Sequence, residues 1–135
     1  MKQYEFDGNS FQDLSGFFTA FGEMINGKNG YFGKDLHSFD DCFFGGFGLT
    51  TPCEIIWINS DISKANLGHK CYAEWCQTQI KLGEYPDDEA LDNLNEGLKQ
   101  ALNSKGPTMF DLLVESIQSL EKRSDEKKVV KLVLK

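Results

Sequence analysis

A chain of 135 residues has the length of one ordinary domain, and such a domain buries roughly two-thirds of its unfolded surface without a disulfide or metal staple. Its 40% hydrophobic content and eleven phenylalanines supply a core and exclude a disordered chain. The formal net charge of −7 argues against nucleic acid or an anionic membrane as the direct ligand, because both would be repelled, and suits a basic partner instead.

Lys2 to Phe6 alternates polar and aromatic residues and meets Asp7-Gly8, which reads as a short strand ending in a turn. Ser10 is the expected start of a helix, with Asp13 three residues on as an imperfect capping box. Phe11, Leu14, Phe17, Phe18, Phe21, Met24 and Ile25 follow at helical spacing and mark its core face. Asn26 to Gly33 is too rich in glycine and asparagine to continue the helix and is expected to be an ordered loop carrying two aromatics.

A second helix is expected from Lys34 to Phe44, with Leu36, Phe39 and Phe43 facing inward and Asp35, Ser38 and Asp41 on other faces. Gly45-Gly46-Phe47-Gly48 stops it. Cys53 to Asn59 is a continuous apolar run, the pattern of a central, buried parallel strand. Ser60 caps a short helix to about Asn66, and Gly68 ends it.

Lys70 to Ile80 reads as helical. Asp87 to Leu102 is amphipathic through Leu91, Leu94, Leu98 and Leu102. Pro107 suits the first turn of a further helix reaching about Lys122, buried through Phe110, Leu113, Val114, Ile117 and Leu120. Ser124 to Lys128 reads as a solvated charged turn, and Val129 to Leu134 as a closing strand. Strands separated by helices imply parallel pairing, so the fold class is α/β, a small parallel sheet of about three strands with helices packed on it. No repeat or linker divides residues 1–135, which read as a single domain.

No early apolar stretch has the length of an export signal, and no run approaches the ~18 apolar residues of a transmembrane helix. A cytoplasmic location with reduced thiols is therefore expected. Cys42, Cys53, Cys71 and Cys76 form no CxxC, and His69 with Cys71 and Cys76 lacks zinc spacing, so the cysteines read as packing residues. No metal and no other cofactor is expected. Trp57 and Trp75 are expected in the core.

The segment Gly30 to Gly48, GYFGKDLHSFDDCFFGGFG, resembles the signature of the barstar family, intracellular protein inhibitors of secreted ribonucleases. The elements that carry the resemblance are Tyr31-Phe32, Gly33, the Asp41-Cys42 pair on an acidic helix, and an aromatic-flanked glycine turn. It continues in a strand with an internal Trp57, a Ser63-Lys64-x-x-Leu67 segment, and a last helix opening at Phe110-Asp111 before the terminal strand. It spans roughly residues 1–68 and 108–135, leaving 69–107 as a helical insertion. Two departures stand out: Asp35 and His37 occupy positions where the family pattern has Asn and a central Asp, and Asp40 stands where the founding member has tryptophan.

The resemblance implies a partner-binding set of Tyr31, Gly33, Asp35, His37, Ser38, Asp40, Asp41, Phe44, Gly45 and Phe47. It also implies a basic protein partner, a ribonuclease or ribonuclease-type toxin, with no direct nucleic acid or membrane contact. In that role Asp41 mimics a phosphate, Asp35 and Asp40 extend the field, and Tyr31, Phe44 and Phe47 supply aromatic contacts. Read by residue type alone, Asp35 and Asp41 are solvated helix acids, and Asp35 is also a favourable partner for the helix dipole. His37 is equally a tolerated surface residue. Glu115 and Glu121 of the last helix are left unassigned.

Catalysis is not expected. His37 and Cys42 on one helix lie about 140° apart around its axis, His69 near Cys71 or Cys76 lacks an activating acid, and no GxxxxGK or HExxH occurs. The alternatives are an immunity or adaptor protein binding a target that is not a ribonuclease, and a metal module built on the cysteines.

Overall fold

The computed structural model describes residues 1–125 and 127–135. Its described residues form an α/β layer structure: a parallel three-stranded sheet in the order β1-β2-β3, with β1 at Lys2–Asp7, β2 at Cys53–Ile58 and β3 at Val130–Leu134. The helices are α1 (Leu14–Asn26), α2 (Leu36–Gly45), α3 (Ser60–Asn66), α4 (His69–Leu82), α5 (Asp88–Leu102), α6 (Met109–Gln118) and the single turn α7 (Leu120–Arg123). No described helix is long and apolar enough to cross a membrane.

Register places Tyr4, Ile55 and Leu132 side by side, and Phe6 beside Trp57, on the face that meets the helices. All the phenylalanines except Phe44 and Phe47 are buried. Trp57 is the hub, with ring centroids 4.8 Å from Phe6, 5.3 Å from Phe17 and 5.0 Å from Phe110. Its indole Nε1 donates to the buried Ser63 Oγ at 3.0 Å, which gives the SKxxL segment a core role.

β2 is central in order but alternates in burial. Cys53, Ile55 and Trp57 are buried, while Glu54, Ile56 and Ile58 on the outer face are half-buried. The expectation of a strand buried on both faces is therefore corrected. Glu54 instead accepts a hydrogen bond from Gln3 Nε2 at 3.2 Å and pairs with Lys131 at 3.7 Å, a polar row across all three strands.

Two expected starts, those of α1 and α6, shift because a different side chain reaches the free amides. Asp13, not Ser10, caps α1: its Oδ1 accepts from Gly16 N at 2.7 Å, and Ser10 ends a 3-10 turn over Gly8–Ser10. At α3 the cap position is Asn59, at φ 52°, while Ser60 Oγ donates to the Lys135 carbonyl at 3.0 Å. Thr108 caps α6 through a capping box with Asp111, which leaves Pro107 outside the helix. The expected helix to Lys122 also breaks at Ser119 into α6 and α7.

Within the expected charged turn Ser124 is buried and its Oγ accepts from Lys128 N at 2.8 Å, so that residue is a structural bridge; Glu126 lies outside the described residues. Residues 69–107 hold α4 and α5, which pack along each other. On α5 the inward residue near the C-terminus is Ala101, whereas Leu102 is 65% exposed.

Candidate functional site

The candidate site is built on α2 and the two loops that flank it. Asp35 is the N-cap of α2: its Oδ1 accepts from Ser38 N at 2.8 Å and from Ser38 Oγ at 3.0 Å, and Ser38 Oγ in turn accepts from Asp35 N at 3.2 Å. Partial burial alone would raise the Asp35 carboxyl. The bonds from Ser38, with His37 and Lys34 adding their charges, outweigh burial and hold it below the ordinary aspartate range. At the other end Gly46 takes the left-handed conformation at φ 71°, and Lys128 Nζ donates to the carbonyls of Phe43 and Phe44 at 2.9 and 3.3 Å. The helix is thus pinned at both ends.

Its inner face carries the buried Phe39, Cys42 and Phe43. Its outer face carries His37, Asp41 and Phe44, which share one stripe at i, i+4 and i+7 and are all exposed. Asp40, one step round the helix, is half-buried and engaged: Arg123 Nη2 and Nη1 donate to its two oxygens at 2.7 and 2.8 Å. Those bonds, with a smaller contribution from the charge of Glu115, raise the pKa of the guanidinium. The same guanidinium lies over the Phe44 ring, 5.3 Å from its centroid. Between α2 and α6 runs a groove of about 360 Å³ lined by Leu36, His37, Asp40, Leu112, Glu115 and Arg123, among others.

The aromatic side of the site is set by Asn26, the last residue of α1. Its Nδ2 donates to the carbonyls of Tyr31 and Phe47, both at 2.8 Å, and so ties the two loops together. Tyr31 and Phe47 meet edge to face at 6.3 Å and are 47% and 48% exposed. Gly33, at φ +93°, lies against the start of α2, where an added Cβ would meet Phe39 Cα at 2.5 Å. It is buried, and its role is to hold the loop against the helix.

The structure therefore leaves two groups exposed: the stripe of His37, Asp41 and Phe44 on α2, and the Tyr31–Phe47 pair, whose Phe47 ring borders Gly45 at the end of the helix. Asp35, Ser38 and Gly33 shape the surface from beneath or from its edge. Asp40, expected to extend the acidic field, is instead neutralised within the chain. Sequence reasoning missed Asn26, Arg123 and Lys128, whose partners lie 5 to 85 residues away. The helix-ending position of Asn26, directly before the glycine-rich loop at 27–33, was a usable signal for the first; none marked the other two. The 69–107 segment borders the site, since Trp75 of α4 sits 6.3 Å from the His37 ring. Trp75 is half-buried rather than central and stacks on Tyr72 at 6.0 Å.

The thiols are chemically quiet. All four cysteines are free, and burial pushes Cys53 up to about 11; burial, with Glu74 and Asp13 nearby, does the same for Cys71. Cys42 is buried while His37 is exposed, and His69 Nε2 is committed as donor to the Gly106 carbonyl at 2.9 Å. Among the described residues no group of three or more His, Cys, Asp or Glu side chains is arranged to hold a metal ion. A surface hollow of about 870 Å³ beside β1 and α1 is lined by Glu5, Asp7, Asp13 and Glu23, among others, and contains none of the expected site residues. No known family model matches this chain, and no curated protein matches it in sequence.

Proposed function

We propose that this chain is a barstar-like inhibitor, a cytoplasmic protein that binds the basic active site of a ribonuclease through α2 and the adjoining aromatic loops and performs no catalysis of its own. The observation that carries this reading is that Tyr31, Phe44 and Phe47 stay exposed on α2, the element that presents Asp41, and on its flanking loops, in a protein that buries every other phenylalanine. Each of these side chains is a little under half exposed, so completing its burial would gain roughly half of the ~1.5–3 kcal/mol of a full burial, which favours a surface completed by a partner.

The mechanism follows from the geometry. Ribonuclease sites present arginine, lysine and histidine because they bind a polyanion. The Asp41 carboxylate, mounted on a helix fixed at both ends, offers such cations charge-assisted hydrogen bonds in place of a phosphate. Because α2 is already ordered, little conformational entropy is lost on binding. The aromatics exclude water around the pair, and the raised pKa values of the thiols support a binding role over a nucleophilic one.

The test is a titration against a panel of purified secreted ribonucleases, following RNA cleavage at low and moderate salt. Stoichiometric inhibition that weakens with salt is expected. Asp41→Ala should then cost about 3–5 kcal/mol, because it leaves the partner's buried cation unpaired. A cost below ~1 kcal/mol would remove Asp41 from the centre of the interface. No inhibition across the panel would defeat the ribonuclease reading.

A second reading, an immunity or adaptor protein for a target that is not a ribonuclease, is favoured by the mixed charge of the surface: His37 flanks Asp41, and Arg123 cancels Asp40. Association indifferent to salt would support it.

A further inference from the structure

The Asp40–Arg123 pair is unlike an ordinary surface ion pair. Both carboxylate oxygens are taken by two guanidinium nitrogens, the fork-to-fork arrangement a partner's arginine would itself adopt. Arg123 Nη2 also donates to the Ser116 carbonyl at 2.9 Å, and Nε donates to Ser119 Oγ at 2.8 Å. Four of the five guanidinium N–H groups are therefore used inside the chain. The side chains of Arg123 and Asp40 are only 36% and 33% exposed, and the guanidinium is further held over Phe44. Exposed ion pairs usually gain little because two long side chains must be ordered to make them. Here Arg123 has two anchors besides Asp40, on the last turn of α6 and at the α6–α7 junction.

We propose that Arg123 is a specificity-determining residue of this surface: a built-in occupant of the guanidinium site on Asp40, which makes a partner dock through Asp41 and rejects one that needs a second cation opposite Asp40. As regards the partner, this rests on the inhibitor reading; the occupancy of Asp40 does not. A cation arriving at Asp40 must displace an intramolecular competitor with pre-ordered bonds, and it meets the positive charge of Arg123 until it does so. That is selection by a repulsive element as well as by an attractive one. Lysine at position 123 would keep the charge but lose the fork and the Nε bond to Ser119.

The experiment is a titration of the full chain with tetra-arginine peptide at low salt, read by the side-chain carboxyl NMR signals of Asp40 and Asp41. In the unmodified protein the Asp41 signal should move and the Asp40 signal should not. Arg123→Gln should bind the peptide ~tenfold tighter with Asp40 now responding, the gain expected of one added charge-assisted contact. The double variant Asp40→Asn with Arg123→Gln should return to the original affinity. Equal response of Asp40 and Asp41 in the unmodified protein overturns the proposal even if Arg123→Gln fails to fold. An unchanged affinity in a folded Arg123→Gln overturns it as well.

With any ribonuclease that the unmodified protein inhibits, the double variant should cost far less than Asp41→Ala, because both charges of the pair are removed together. A loss as large as that of Asp41→Ala would place Asp40 in the interface and sink the proposal while leaving the inhibitor reading intact. Inhibition of no ribonuclease by any variant sinks the inhibitor reading alone, and the peptide titration still decides the occupancy of Asp40.

Discussion

Asp35 shows how one carboxylate serves structure at the edge of a candidate binding surface. Read from the chain, it is an acid at a helix start, favourable to the dipole or extending a binding field. In the fold Asp35 is the N-cap of α2, in a reciprocal cap with Ser38, a position that keeps its carboxylate at the positive end of the helix dipole. Its lowered pKa means that the folded state binds protons less readily than the unfolded chain. The stabilisation is therefore fully present above the ordinary aspartate pKa of ~3.9 and is lost as pH falls through the lower folded value. Asp35→Ala should cost about 1 kcal/mol at neutral pH and flatten the loss of stability below about pH 4. Urea unfolding at pH 6 and pH 3 checks this; an Asp35→Ala variant as acid-sensitive as the original would remove Asp35 as a source of that dependence.

At the scale of elements, helices were legible through their apolar periodicity, and some of their starts were too, such as Asp87 at α5, whereas those of α1 and α6 were not. Phe17, Phe21, Phe39 and Phe43 announce α1 and α2. The first residue depends on which nearby oxygen reaches the N2 or N3 amide, and that choice is made by chain geometry. Asp13 and Asp35 reach it, whereas Ser60 is drawn off to the Lys135 carbonyl. The same dependence on distant partners governs the loops. Asn26 alone links the Tyr31 and Phe47 backbones, so Asn26→Ala should cost about 1–2 kcal/mol from two lost hydrogen bonds. Amides of residues 30–33 and 46–48 should exchange faster in that variant, while those of β2 keep their protection. Unchanged loop exchange would show that the glycine turns order themselves.

The whole molecule is organised around Trp57, in which sheet, α1 and α6 converge. Trp57→Phe leaves a void and strands the Ser63 hydroxyl in the core. The combined loss should be about 2–4 kcal/mol, enough to lower Tm by roughly 10 °C in a chain of this size. Adding Ser63→Ala to that variant should recover ~1 kcal/mol, since both ends of the hydrogen bond are then apolar. Differential scanning calorimetry of the three proteins checks the ordering. A double variant no more stable than Trp57→Phe would show that the hydroxyl finds another partner.

Pattern in the chain was enough for the α/β class, the three strands, their parallel pairing and the aromatic core, because each rests on local periodicity and on the length of the connections. The candidate surface was marked by the family resemblance of Gly30 to Gly48, whereas residue types alone left Asp35 and Asp41 as solvated helix acids. Tertiary structure alone decided that β2 is covered on one face only, that Gly33 and Asp35 shape the surface rather than present it, and that Asp40 is already paired. The physical reasons differ: the ion pair on Asp40 joins residues 83 positions apart that no window of sequence contains, whereas Asp35 and Gly33 are set by the nearby Ser38 and Phe39, whose geometry only the folded helix start fixes.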